Sequence, residues 1–342
     1  MARKRGRGMA VCWYGIARTA PADRAAAWVE IDDGGSVKVV TGVTEIGAGI
    51  LTVVAQIVAH EIGVKPEDVV IGDNDTARAP GPGHAGGSRQ TYMVGNVVAL
   101  ASREARKRLV EVMAGAGAWD VDAELIHTGN GEVWAEGTNH RISMGEAVDI
   151  AKKRGVVPVG SASFGIDAAA RLDPVDGSGR PWQAYVFGCQ VAEVEVDTIT
   201  GEVQVLGIWA AHDVGRAVNP QGVEGQIEGG IVQALGQGLM EDYKLESGRT
   251  STSGFARYIL PTSLDVPQVN SIIIEDPDPI GPLGVKGVGE LSLVPTIPAI
   301  MNAIYDAVGV RITDLPATPE KVLIAIRNKE RQGSHMAPQA AE

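Results

Sequence analysis

The 342 residues are 44% apolar and 21% charged, the balance of a globular chain with enough apolar mass for two ordinary cores. A net charge of -12 argues against nucleic acid as a partner, because polyanion binding rests on clustered Lys and Arg. The two cysteines, Cys12 and Cys189, lack CxxC or Cys/His neighbours, which argues against a disulfide framework or a protein-bound iron–sulfur or zinc site and leaves them as small buried hydrophobes.

In chain order, the basic run Arg3, Lys4, Arg5 and Arg7 reads as a solvated end or a contact with an acidic partner. No hydrophobic leader-like stretch follows it, and no uninterrupted apolar run approaches bilayer length, so a cytoplasmic chain with no membrane span is expected. AWVEIDDGGSVKVVTG alternates apolar and polar residues around Asp32, Asp33, Gly34 and Gly35, a hairpin signature. After TEIGAGI, Leu51, Val54, Ile57, Val58 and Ile62 fall at helical spacing before Gly63. QVAEVEVDTITGEVQVLGIW repeats the hairpin, HDVGRAVNPQG makes a polar turn, and Ile227, Ile231, Leu235 and Leu239 mark a second helix. Each half reads as hairpin, glycine-rich elbow and helix. The Gly-, Ser-, Asp- and Pro-rich stretch between them places a linker at 161–182, separating subdomains 1–160 and 183–330, with a flexible tail at 331–342. The expected class is α+β, two elongated subdomains of hairpins, sheets and helices.

Several motifs fail on context. GPGHAGG satisfies G-x-G-x-x-G, but polar and breaker residues separate it from the preceding strand-like VVI, and a dinucleotide fingerprint needs strand, turn and helix in succession. SASFG around Ser163, with His212 and Asp213 as imagined partners, lacks the buried strand of a nucleophile elbow and reads as linker. His60-Glu61 has no second His at the fourth position, and His84 reads as a loop hydrogen-bonder.

The remaining signal is a set of glycine-rich loops that each precede or open a helix. They contain Gly47 and Gly49; Gly83, Gly86 and Gly87; Gly225, Gly229 and Gly230; and Gly284, Gly287 and Gly289. Helix N-termini carry unpaired N–H groups, so several converging ends would enclose a large anionic cofactor. Glu290, closing GVKGVGE before an amphipathic helix, would be the acid in that pocket.

TEIGAGILT, GSRQTYMVGNVV, EVEVDTITGEV, HDVGRAVNP, GQIEGGIVQALGQGL, YILPTSLDVP, KGVGE and NAIYDAVGVRITDLPATPEKV occur in this order. Together they resemble the C-terminal part of the molybdopterin-binding subunit in the xanthine dehydrogenase and aldehyde oxidase family of molybdenum hydroxylases. The resemblance runs from about Arg5 to about Arg327. It implies that Glu290 is the catalytic base, deprotonating the oxygen that attacks an electron-poor substrate carbon. It implies that Gly47, Ala48, Gly87, Ser88, Arg89, Gln90 and Gln226 hold a molybdenum–molybdopterin cofactor, expected as the cytosine dinucleotide, with no metal ligand from the chain itself. Ala48 departs from the family's usual glutamine, so binding there must lean on backbone N–H groups or another residue. The chain begins where the second half of a large subunit begins, as in a split subunit of the nicotinate dehydrogenase type. The expected partners are therefore a chain carrying the N-terminal half, a 2Fe-2S subunit and an FAD subunit, with a small-molecule substrate. The expected reaction hydroxylates an N-heteroaromatic such as nicotinate or a purine with water-derived oxygen. Aldehyde or carbon monoxide oxidation, or a non-catalytic assembly scaffold, are the alternatives.

Overall fold

The computed structural model describes residues 2–17, 23–72, 75–166, 172–179 and 181–335. Its first half runs β1 (Arg3–Gly15), β2 (Asp23–Ile31), β3 (Val37–Val40), α1 (Ile50–Ile62), β4 (Val69–Ile71) and α2 (Gln90–Ala114). A small meander, β5 (Ile126–Gly129), β6 (Glu132–Ala135) and β7 (Arg141–Ser143), leads through α3 (Met144–Lys153) to β8 (Val159–Ile166). The second half runs β9 (Tyr185–Asp197), β10 (Val203–Asp213), α4 (Pro220–Leu239), a short hairpin β11 (Leu245–Glu246) and β12 (Arg249–Thr250), β13 (Gln268–Ile274), α5 (Thr296–Val308) and α6 (Pro319–His335).

Strand alternation builds the first sheet: Ala25, Ala27, Val29 and Ile31 of β2 turn inward, and Ile31 pairs with Val37 across the turn at Asp33–Gly35. Its order is β8-β2-β3-β4, antiparallel except for the parallel pair β3–β4, which α1 bridges. The second sheet repeats the scheme as β1-β9-β10-β13, with β10 and β13 parallel. Each sheet is thus a hairpin, a helix, a parallel strand and a second helix laid across one face, α2 in the first half and α5 in the second. Two apolar clusters follow, one around Val29, Val54 and Val97, the other around Val194, Ile231 and Ile304. The fold is α+β, and the repeated hairpin-and-helix scheme is present in both halves.

Some expected boundaries move. The linker read from residue 161 begins as strand: β8 pairs with β2 from Asp23↔Ile166 to Glu30↔Val159. Of the rest of that stretch, 167–171 and 180 lie outside the described residues. The basic run joins the second sheet rather than the first half, because β1 pairs with β9 along its whole length. The tail read from 331 is helical as far as His335, and 336–342 lie outside the described residues. Leu291–Val308 is apolar enough to span a bilayer by length and hydropathy alone, but 56% of that window is buried inside the molecule.

The outward face of the second sheet changes character along β1. Arg3 and Arg5 each lie 3.1 Å from Glu195, and Arg7 lies 3.1 Å from Glu193. These exposed cross-strand pairs each contribute little, but they engage the basic run within the chain. Two residues further along, the same face shows exposed Met9, Val11 and Trp13, flanked by exposed Phe187, Trp209, Ile272 and Ile274. Cys12 and Cys189, read as buried, are both free and only partly covered.

Candidate active site

Four helix-leading loops, two from each half, line a cleft of ≈ 210 Å³. The loop into α1 contributes Ile46, Ala48 and Gly49; the loop into α2 contributes Gly86, Ser88, Arg89 and Gln90. Asn219, which caps α4, with Gly222 and Gln226 of that helix, forms the next wall, and Val285 to Glu290 close it.

The start of α1 has already found an anion. Glu45 Oε1 accepts the N–H groups of Gly47 at 2.8 Å and Gly49 at 3.0 Å, and Oε2 accepts that of Leu51 at 3.2 Å. Burial pulls the Glu45 carboxyl up, but the N–H groups of Leu51, Gly49, Gly47 and Ala48 together hold it below the usual carboxylate range. The loop's N–H donors are thus committed to the chain's own carboxylate. Gly47 and Gly87 do not line the cleft, whereas Ala48 and Ser88 beside them do.

At the start of α2, Arg89 is almost fully buried. Its guanidinium donates to Asp23 at 2.7 Å, to the carbonyls of Pro82 at 2.7 Å and His84 at 2.9 Å, and to that of Arg24 at 3.3 Å. Arg89 therefore ties the loop to β2, and each of its guanidinium nitrogens donates within the fold. Gln90 Nε2 donates to the Thr44 carbonyl at 3.0 Å, joining the two loops of the first half.

Glu290 lies at the meeting of the halves. The KGVGE loop passes so close to the first-half loop that a Cβ at Gly287 would overlap the Ser88 carbonyl oxygen. Ser88, held at φ 48°, donates its hydroxyl to Glu290 Oε2 at 3.2 Å and accepts the Glu290 N–H at 3.2 Å. Tyr14 from β1 donates to the same Oε2 at 2.7 Å. Burial, then the hydrogen bond to Glu290 and the charge there, raise the Tyr14 pKa, so the phenol stays protonated and donates. Oε1 makes no hydrogen bond to another side chain or backbone group among the described residues. Gln226 stands beside the loop, its Oε1 3.4 Å from a Cβ placed at Gly289, and its amide is likewise unspent among the described residues.

Sequence reasoning missed three contributors. Tyr14 belongs to a strand whose basic start hid its alternation, and its partner is 276 residues away. Lys286 and Asp213 form a buried ion pair at 2.6 Å under the cleft wall; a Lys inside a glycine-rich loop and an Asp after His212 were the available signals. Glu45 was passed over as an ordinary member of TEIGAGI.

A family model described as a molybdopterin cofactor-binding domain matches residues 1–267. A probable xanthine dehydrogenase subunit of Bacillus subtilis (strain 168) is 34% identical over 95% of this chain and 42% of its own length. An aldehyde oxidoreductase of Megalodesulfovibrio gigas is 33% identical over 95% of this chain and 32% of its own length. Among solved structures, quinoline 2-oxidoreductase from Pseudomonas putida 86 superposes with a TM-score of 0.83 at 28% identity, covering 95% of this chain and 42% of that one. The chain therefore spans less than half the length of these relatives.

Proposed function

This chain belongs to the family of molybdenum hydroxylases, as a partial subunit with their molybdopterin cofactor-binding domain, and from that premise we propose that its cleft supplies the proton-accepting base and one wall of the cofactor cradle in an enzyme that hydroxylates an N-heteroaromatic compound. The observation that carries the reading is Glu290: one carboxylate oxygen fixed by Tyr14 and Ser88, the other left unspent at the cleft. When bound, the cofactor supplies the metal centre that activates the oxygen nucleophile and accepts the substrate's electrons. Glu290 Oε1 takes the proton, while the two donors on Oε2 keep the carboxylate oriented.

The residues fit the cofactor's polar edges. Gln226, with its amide unspent, is the side chain that holds it, and the Ser88-Arg89-Gln90 segment forms the opposite wall. Gly47 and Ala48 contribute shape rather than N–H donors, since Glu45 already accepts those. The cytosine dinucleotide form, the 2Fe-2S and FAD carriers on separate subunits, and a cytoplasmic location are part of the proposal. The N-heteroaromatic class draws on relatives named for quinoline, nicotine and xanthine. The aldehyde alternative stands on a relative of nearly equal identity named for that activity.

The proposed partner is a chain carrying the remaining half of the large subunit. More than half of the relatives' length lies outside the match, and the open apolar end of the second sheet, with Trp13, Phe187 and Trp209, is the surface proposed to receive it. The test compares this chain expressed alone and with such a partner, measuring molybdenum per chain, nucleotide released on denaturation, and turnover of nicotinate, purines, aldehydes and carbon monoxide in labelled water. Little metal in the lone chain and label in a hydroxylated heteroaromatic from the complex are expected. A lone chain that is monomeric, fully loaded and active would refute the split site.

A further inference from the structure

His212 and Asp213, set aside as partners of a nucleophile, end β10 directly beneath the loop that carries Glu290. We infer that this dipeptide positions Glu290 by gripping its loop on both sides, Asp213 through Lys286 and His212 through the Gln190 amide. The inference rests on the reading of Glu290 as the base.

On the upstream side, Asp213 Oδ2 accepts from Lys286 Nζ at 2.6 Å, four residues before Glu290, with both side chains buried. The backbone repeats the tie, since the Lys286 N–H donates to the Val214 carbonyl at 2.9 Å and Gly215 forms a bridge with Val285. On the downstream side, Gln190 Nε2 donates to the Ser292 carbonyl at 2.6 Å, two residues past Glu290. Ser292 also donates its hydroxyl to the Gln226 carbonyl at 3.1 Å, so the same residue ties the base loop to α4.

The network fixes its own protons. A carbonyl oxygen only accepts, so the nitrogen of the Gln190 amide must face Ser292, and its oxygen then meets the Thr296 hydroxyl at 2.6 Å. The second N–H of that amide points at His212 Nε2, 3.1 Å away, which must offer a lone pair. The imidazole proton therefore sits on Nδ1, a buried atom with no partner among the described residues. An orphan N–H is a costly feature, and it follows here from using Nε2 as an acceptor. Burial pushes the His212 pKa down to about 4, in keeping with a ring that stays neutral. Gln190, His212, Ser292 and Thr296 are all fully buried, so no water competes for these bonds.

The test uses the co-expressed, metal-loaded complex. Gln190→Met keeps volume but removes both donors. Its expected result is a kcat loss of at least about tenfold, as follows from small misplacement of a reacting group, with KM within about twofold and molybdenum content unchanged. His212→Gln, whose amide oxygen can accept in place of Nε2, should retain kcat within about threefold, whereas His212→Leu should lose as much as Gln190→Met. If Gln190→Met does not fold, the His212 pair decides. Nitrogen NMR of histidine-labelled complex should show His212 unprotonated at Nε2 from pH 9 to pH 5. Full kcat per molybdenum in Gln190→Met or in His212→Leu, or a protonated Nε2, overturns the inference. Wild-type turnover in Glu290→Gln would instead sink the assignment of the base itself, so the two failures are distinguishable.

Discussion

The two halves of the molecule follow one course, hairpin, helix, parallel strand and a second helix across the sheet, yet the loops ahead of those second helices carry opposite charges. In the first half the loop closes on Arg89, a cation buried against Asp23 and three carbonyls. In the second it closes on Glu290, an anion with two donors on one oxygen and the other oxygen at the cleft. Arg89 is thus an anchor of its loop, whereas Glu290 is the group proposed to react. What separates them is how far each charge is engaged: every guanidinium nitrogen of Arg89 donates inside the fold, whereas one oxygen of Glu290 is left over and is the one proposed to accept a proton.

Arg89→Met is the strongest way to break this contrast. It leaves Asp23 buried without its cation, so a loss of about 3–5 kcal/mol is expected, measured as a fall in the urea midpoint. A change that reduces turnover per molybdenum while leaving the midpoint in place would give Arg89 the reactive role denied to it here. Next in size is acid sensitivity from His212. Its pKa is about 4 in the folded chain against 6.5 unfolded. The unfolded chain binds the proton first as pH falls, so the stability linked to this ring is whole above pH 6.5 and is lost on acidification toward pH 4. The loss is on the order of 3 kcal/mol, and His212→Gln should flatten that part of the stability–pH curve. Smaller again is Tyr14→Phe. Losing one hydrogen bond to a charged group should lower kcat about tenfold, equivalent to ~1.4 kcal/mol. Unchanged kcat per molybdenum in this variant would remove Tyr14 from the site.

What was legible in the sequence was local. The turn at Asp32 to Gly35, the stripe of α1 and that of α4 each depend on neighbours a few residues apart, and each formed as read. Glu290 was visible because glycines crowd around it. The stretch 161–166 was misread as linker because its residues are small, but it continues a strand on which α2 presses: a Cβ at Gly160 would meet the α2 backbone at Ala101 and Ala105. β1 was hidden for a different reason. Its arginines look like a solvated end until Glu193, Glu195 and Asp197 are placed opposite them, a pairing across nearly 190 residues that no local pattern encodes. With β1 went Tyr14, and with the buried face of β9 went Gln190.

The central claim, that Glu290 is the base, is tested most directly by Glu290→Gln in the metal-loaded complex, with turnover expressed per bound molybdenum. The substitution keeps size and hydrogen-bonding reach but removes the proton acceptor. The account predicts a loss of at least about a hundredfold, the usual scale for a general base, with unchanged molybdenum content and an unchanged urea midpoint. Turnover per molybdenum equal to that of the unsubstituted complex would contradict it.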